Sequence, residues 1–164
     1  MSLRERTLRP LQWRAVALGS AVEVVAVAVG LFVPLAPGVL DTGVVLLLSM
    51  GLPGGFVAGQ RAGDGWRRGA VHGGLVGVVG GLVFAPALWA TLYGLVPRAR
   101  DSAFWGLNYV LATSGVVPPG LVETYGRLVV VLLAALGALL VVVEGVVAGV
   151  AATRYPAVVF ERRG

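Results

Sequence analysis

Long apolar runs alternate along the chain with short segments that hold nearly all of its arginines. About 20 apolar residues, at about 1.5 Å of rise each, are needed to cross the hydrocarbon core of a bilayer. Four runs approach or exceed that length, over residues 13–35, 43–60, 70–96 and 128–153. The turn Pro34-Leu35-Ala36-Pro37-Gly38 ends the first, and the second opens between Val39 and Gly43. The pattern predicts an all-α integral membrane protein with four transmembrane helices, residues 1–164 forming a single transmembrane helical domain. The first run follows a basic head of Arg4, Arg6 and Arg9, as a signal peptide would. Its apolar stretch exceeds the usual length of about 7–15 residues, however, and Glu23 sits near its middle, so it reads as an uncleaved helix.

The connection over 97–127 is the longest and is not plainly hydrophilic. Asp101-Ser102 can cap a short helix carrying Phe104, Trp105, Leu107, Tyr109 and Val110, which Pro118-Pro119-Gly120 would end. Aromatic side chains favour the headgroup region, where Trp89 and Tyr93 would join them. This segment either lies on the outer surface or re-enters the membrane, and the interfacial helix is the expectation.

Composition agrees with the pattern: 57% of residues are hydrophobic, 13% are charged, and the mean hydropathy is +0.89. Soluble domains carry about 25% charged residues and about 45–50% apolar ones. The formal charge is +5 and all 13 basic residues are arginine. Nucleic-acid binding is not expected, because the arginines flank apolar spans instead of forming one face. With the N-terminus inside, ten arginines fall on the inner side (Arg4, Arg6, Arg9, Arg14, Arg61, Arg67, Arg68, Arg154, Arg162 and Arg163). Three fall outside, Arg98, Arg100 and Arg127. That bias predicts a plasma-membrane protein with both termini cytoplasmic, and the inner clusters would touch anionic lipid headgroups.

The chain has no cysteine and one histidine, His72. Disulfides and thiolate metal sites are therefore excluded, and neither a metal nor a cofactor is expected. Glycine strings such as Gly73-Gly74 lie inside apolar helices, not between a strand and a helix, so they are not phosphate loops. No nucleophile–base pair is visible, and an enzyme is not expected. His72 reads as an interfacial side chain near the headgroups, and Asp41 and Asp64 as loop carboxylates.

Two patterns carry more information. Gly51, Gly55 and Gly59 recur every fourth residue in the second span, as do Gly69, Gly73, Gly77 and Gly81 in the third. Each series makes a face without side chains, which lets helices approach closely in lipid. Such glycine zippers either pack these two helices as a hairpin or join copies into a homo-oligomer. Pro53 and Pro86 should kink their helices, and a break at Pro53 can either be a packing kink or line a substrate site.

The second pattern is a pair of intramembrane carboxylates, Glu23 and Glu144. Both are placed on the order of 14 Å from the inner edge. Gly19, Ser20, Ala26 and Gly30 share the face of Glu23, and Gly137, Ala148 and Ala151 that of Glu144. Carboxylates at that depth are costly and generally face the bundle interior. Each either hydrogen-bonds a neighbouring helix or joins a proton relay or coupling site.

The stretch from Gly54-Gly55-Phe56-Val57-Ala58-Gly59-Gln60 through Gly63 and Gly65 to Gly69-Ala70-Val71-His72-Gly73-Gly74-Leu75-Val76-Gly77 resembles an uncharacterised family of small haloarchaeal multi-pass membrane proteins, over roughly residues 51–81. The resemblance implies a membrane protein and supplies no activity. The leading expectation is a helix-packing or partner-binding component of the lipid bilayer. Its rival is a proton- or cation-coupled transporter or channel using Glu23 and Glu144, with an unidentified small molecule or ion as substrate.

Overall fold

The computed structural model describes residues 11–36, 38–63, 65–96 and 101–155. Among them are six helices and no strand: α1 Trp13–Phe32, α2 Leu40–Leu47, α3 Gly51–Arg61, α4 Trp66–Leu92, α5 Ala103–Thr113 and α6 Pro119–Ala152. Four stretches are long and apolar enough to cross a membrane: α1, the α2–α3 segment Thr42–Arg61, α4 and α6. The chain is a multi-pass membrane protein with an all-helical fold.

The second span is interrupted. Its helix stops at Leu47 and restarts at Gly51. The cause lies one turn further on. Proline has no N–H, and its ring crowds the carbonyl four residues earlier, which for Pro53 is that of Ser49. Across the break the backbone tightens to three-residue bonds. Ser49 N–H donates to Leu46 at 3.1 Å, Met50 to Leu47 at 3.3 Å and Leu52 to Ser49 at 3.2 Å. Pro53 itself falls in the first turn of α3, where no intrahelical donor is required. α4 runs from Trp66 to Leu92 with Pro86 inside it. Within α6 the non-helical residue is Tyr125, at φ −128° and ψ 25°.

The turn between α3 and α4 contains Gly63 at φ 82° and Gly65 at φ 110°, conformations that L side chains rarely adopt. This turn makes α3 and α4 neighbours. Both α1 and α6 pack on that pair, and α6 has its largest contacts with α4 and then α3.

At the other end of the bundle, Ser102 caps α5 by accepting the Trp105 amide at 3.3 Å. The Leu35 amide donates to the Asp101 carbonyl at 2.6 Å and ties this helix to the end of the first span. The inner face of α5 inserts Phe104, fully buried, against Phe84 at 5.2 Å between ring centroids. Around them Val27, Leu31, Leu47, Met50 and Leu88 complete the main apolar core. The opposite face leaves Tyr109 exposed, so α5 is a docked amphipathic helix. α5 stops at Thr113, before the prolines expected to end it; Pro119 instead opens α6, a position where a missing N–H costs nothing. With 34 residues α6 begins nine residues before the expected fourth span. Its length of about 51 Å exceeds the roughly 30 Å hydrocarbon core.

Candidate functional site: two carboxylates at a broken helix

The interruption of the second span frees backbone groups. In a continuous helix the Gly51 N–H would donate to the Leu47 carbonyl, but Met50 takes that acceptor. Gly51 donates instead to Glu144 Oε2 of α6, at 2.9 Å. A carboxylate oxygen here satisfies an orphan amide at the positive end of a helix.

One turn further along α3, Gly54 faces Glu23 of α1. A β-carbon at Gly54 would lie 2.7 Å from Glu23 Oε1, so only glycine leaves room for the carboxyl. The opposite wall is Gly80 of α4, where a β-carbon would meet Glu23 Oε2 at 3.3 Å and Val141 Cγ1 of α6 at 3.0 Å. The two carboxyls therefore converge on the first turn of α3, Glu144 at Gly51 and Glu23 at Gly54.

Their environments differ. Glu144 is half-buried and hydrogen-bonded. Glu23 is fully buried, at 0% exposure, and neither of its carboxyl oxygens has a hydrogen-bond partner. The Gly54 backbone stands beside it but outside hydrogen-bond geometry. Buried polar atoms are nearly always paired, so an orphaned carboxyl calls for a specific explanation. Among the described residues no three His, Asp or Glu side chains are grouped to hold a metal ion.

No protein-family model, curated protein or solved structure matches this chain.

The glycine series occupy the surroundings of this site in an arrangement that differs from a simple hairpin. Both face α6. β-Carbons on Gly55 and Gly73 would each strike the Gly145 carbonyl, and those on Gly59 and Gly69 the Gly149 carbonyl. Gly51 and Gly77 meet Val141, while Gly81 meets Ala138. The fourth span thus supplies a third series, whose Gly145 and Gly149 are shared by α3 and α4. Its four-residue spacing was visible in the sequence, but the surrounding valines and leucines concealed it.

His72 is not an interfacial side chain. It is buried, with 2% exposure, and ties two helices together. Its Nε2 accepts from the Gln12 amide at the start of α1, at 3.0 Å, and its Nδ1 lies 2.8 Å from the Arg68 carbonyl. An Nε2 acceptor requires the neutral ring with its proton on Nδ1, which then donates to Arg68. Asp41 belongs to α2 and not to a loop. Asp64 and the arginines at 4, 6, 9, 98, 100, 162 and 163 lie outside the described residues.

Proposed function

We propose that this multi-pass membrane protein binds a proton or a small cation at Glu23 and Glu144, and acts as a proton- or cation-coupled transporter or channel. The observation that carries the reading is the Glu23 carboxyl, wholly buried with both oxygens unpartnered. A carboxyl retained only for helix packing gains nothing from an unmet desolvation cost, whereas one that takes up and releases a ligand must have atoms free to receive it. The interrupted span beside it supports the same reading, since broken helices in transporters present free backbone ends at midplane sites. Glu144, anchored to Gly51, supplies the second carboxyl of the site.

The proposal extends to topology and assembly. The arginine bias supports a plasma-membrane protein with both termini in the cytoplasm. Four spans enclose little space, so a homo-oligomer is expected to complete a pathway. The glycine repeats support a second reading, that of a zipper-packed, partner-binding membrane component of the haloarchaeal type it resembles, since all three series bring backbones together. Neither reading is enzymatic.

Proton flux into proteoliposomes separates the two. Carboxylate-dependent transport predicts flux in the wild type that both Glu23→Gln and Glu144→Gln abolish at equal protein loading. Flux no greater than that of empty liposomes, for protons and for sodium or potassium ions alike, would leave the packing reading in its place.

A further inference from the structure

The break in the second span borders more than the carboxylates. Between α1 and the α2–α3 segment lies an open cavity of about 410 Å³, whose walls include Ala26 and Gly30 of α1, Val33 just past its end, and Leu46, Met50 and Pro53 of the interrupted span. That volume falls within the roughly 300–1,000 Å³ of small-molecule sites. Its walls are almost wholly apolar. Ser49, which also lines it, has its hydroxyl donated to the Val45 carbonyl at 2.9 Å. At the mouth, Val33 and Leu46 are exposed, at 45% and 65%. Leu46 lies within the membrane-spanning stretch Thr42–Arg61, where an exposed apolar side chain faces hydrocarbon, so the cavity opens to the bilayer.

The cavity and Glu23 share a stripe of α1. Ala26 stands three residues above Glu23, a rise of about 4.5 Å, and Gly30 a further turn on. From the other side, Met50 and Pro53 line the cavity while their neighbours Gly51 and Gly54 meet the carboxyls. The end of the Met50 side chain fills the notch at Gly30, and methionine is the most adaptable apolar plug available. An apolar chamber open to lipid therefore ends one helical turn from a buried, unpartnered carboxyl.

We propose that this chamber binds an apolar organic cation delivered from the bilayer, whose charge pairs with Glu23 as that carboxyl gives up its proton. The inference rests on the carboxylate reading above and names the substrate class. One cation enters, one proton leaves, and the charge of the site is conserved. The apolar walls select the body of the molecule and the orphaned carboxyl selects its charge.

Tetraphenylphosphonium is the probe. Purified protein in detergent at weak buffering should bind it and release a proton for each cation bound, as read by titration calorimetry and a pH indicator. Glu23→Gln should abolish both signals. Ala26→Phe, which narrows the chamber without touching the carboxyl, should weaken binding by about tenfold or more. Val33→Trp, at the exposed mouth, provides a second narrowing variant if Ala26→Phe fails to fold. Absence of binding, or binding that Glu23→Gln leaves unchanged, would overturn the proposal, as it would if lipid acyl chains or a second copy filled the chamber. Proton flux in proteoliposomes without phosphonium binding would overturn this inference alone, leaving the proton reading of Glu23 in place. Loss of both would remove the two together.

Discussion

Gly73 of α4 and Gly145 of α6 are pressed backbone to backbone: a β-carbon on either would strike the carbonyl oxygen of the other. The same Gly145 carbonyl meets Gly55 of α3, so one residue of the last span is the joint contact of two helices. In lipid, where apolar burial gives no net drive, such close approach supplies the van der Waals contact that holds helices together.

Enlarging Gly145 should therefore cost stability at the α4–α6 interface, where its β-carbon would meet the Gly73 carbonyl and the Gly77 backbone. Gly145→Ala is expected to destabilise the bundle by about 1–3 kcal/mol, the range for overpacking a tight site. Gly120→Ala, in the same helix but with open space around its α-carbon, should be neutral or slightly stabilising. Thermal unfolding in detergent, followed by circular dichroism, compares them. Equal midpoints for the two variants would show that the close contact does not hold the bundle.

Glu23 makes the opposite prediction. Its carboxyl is buried without partners, so removing it relieves a desolvation cost of about 1–3 kcal/mol. Glu23→Leu, which puts an apolar side chain in its place, should unfold later than wild type while losing the proposed proton flux. Greater stability joined to lost activity is the pattern of a site kept for function. Denaturant unfolding that shows clear destabilisation in Glu23→Leu would mean that the carboxyl has a structural role.

Glu144 should behave differently, because it has a partner. Glu144→Ala leaves the Gly51 amide without its acceptor, at a cost of about 1–3 kcal/mol. Glu144→Gln keeps a side-chain oxygen and should lose less. If both variants unfold together with wild type, the bond to Gly51 contributes nothing to the restart of α3.

His72 fixes the beginning of α1. His72→Phe fills similar space but offers Gln12 no acceptor. Hydrogen exchange should therefore accelerate in the first turn of α1 while the rest of that helix remains protected. Unchanged exchange at residues 12–16 would sink the idea that this side chain anchors the helix.

The sequence by itself determined the four spans, the Ser102 cap of α5 and the glycine turn between α3 and α4. Each depends on a property carried within one segment: apolar length against bilayer thickness, a hydroxyl before a helix, or a backbone conformation that only glycine adopts freely. The disturbance from Pro53 was legible for the same reason, although its effect appears one turn earlier because the ring crowds the carbonyl of Ser49. Only the tertiary structure decided which surfaces meet. The spacing of Gly55 and Gly73 announces a smooth face but not its partner, and that partner is α6 because Gly145 and Gly149 offer the complementary surface. His72 finds Gln12 across 60 residues of chain, beyond any local signal. Glu23 and Glu144 were visible as costly residues at similar depth. That one is satisfied by a freed amide and the other left without a partner follows from how α1 and α6 flank the α3–α4 pair, a geometry that no single segment encodes.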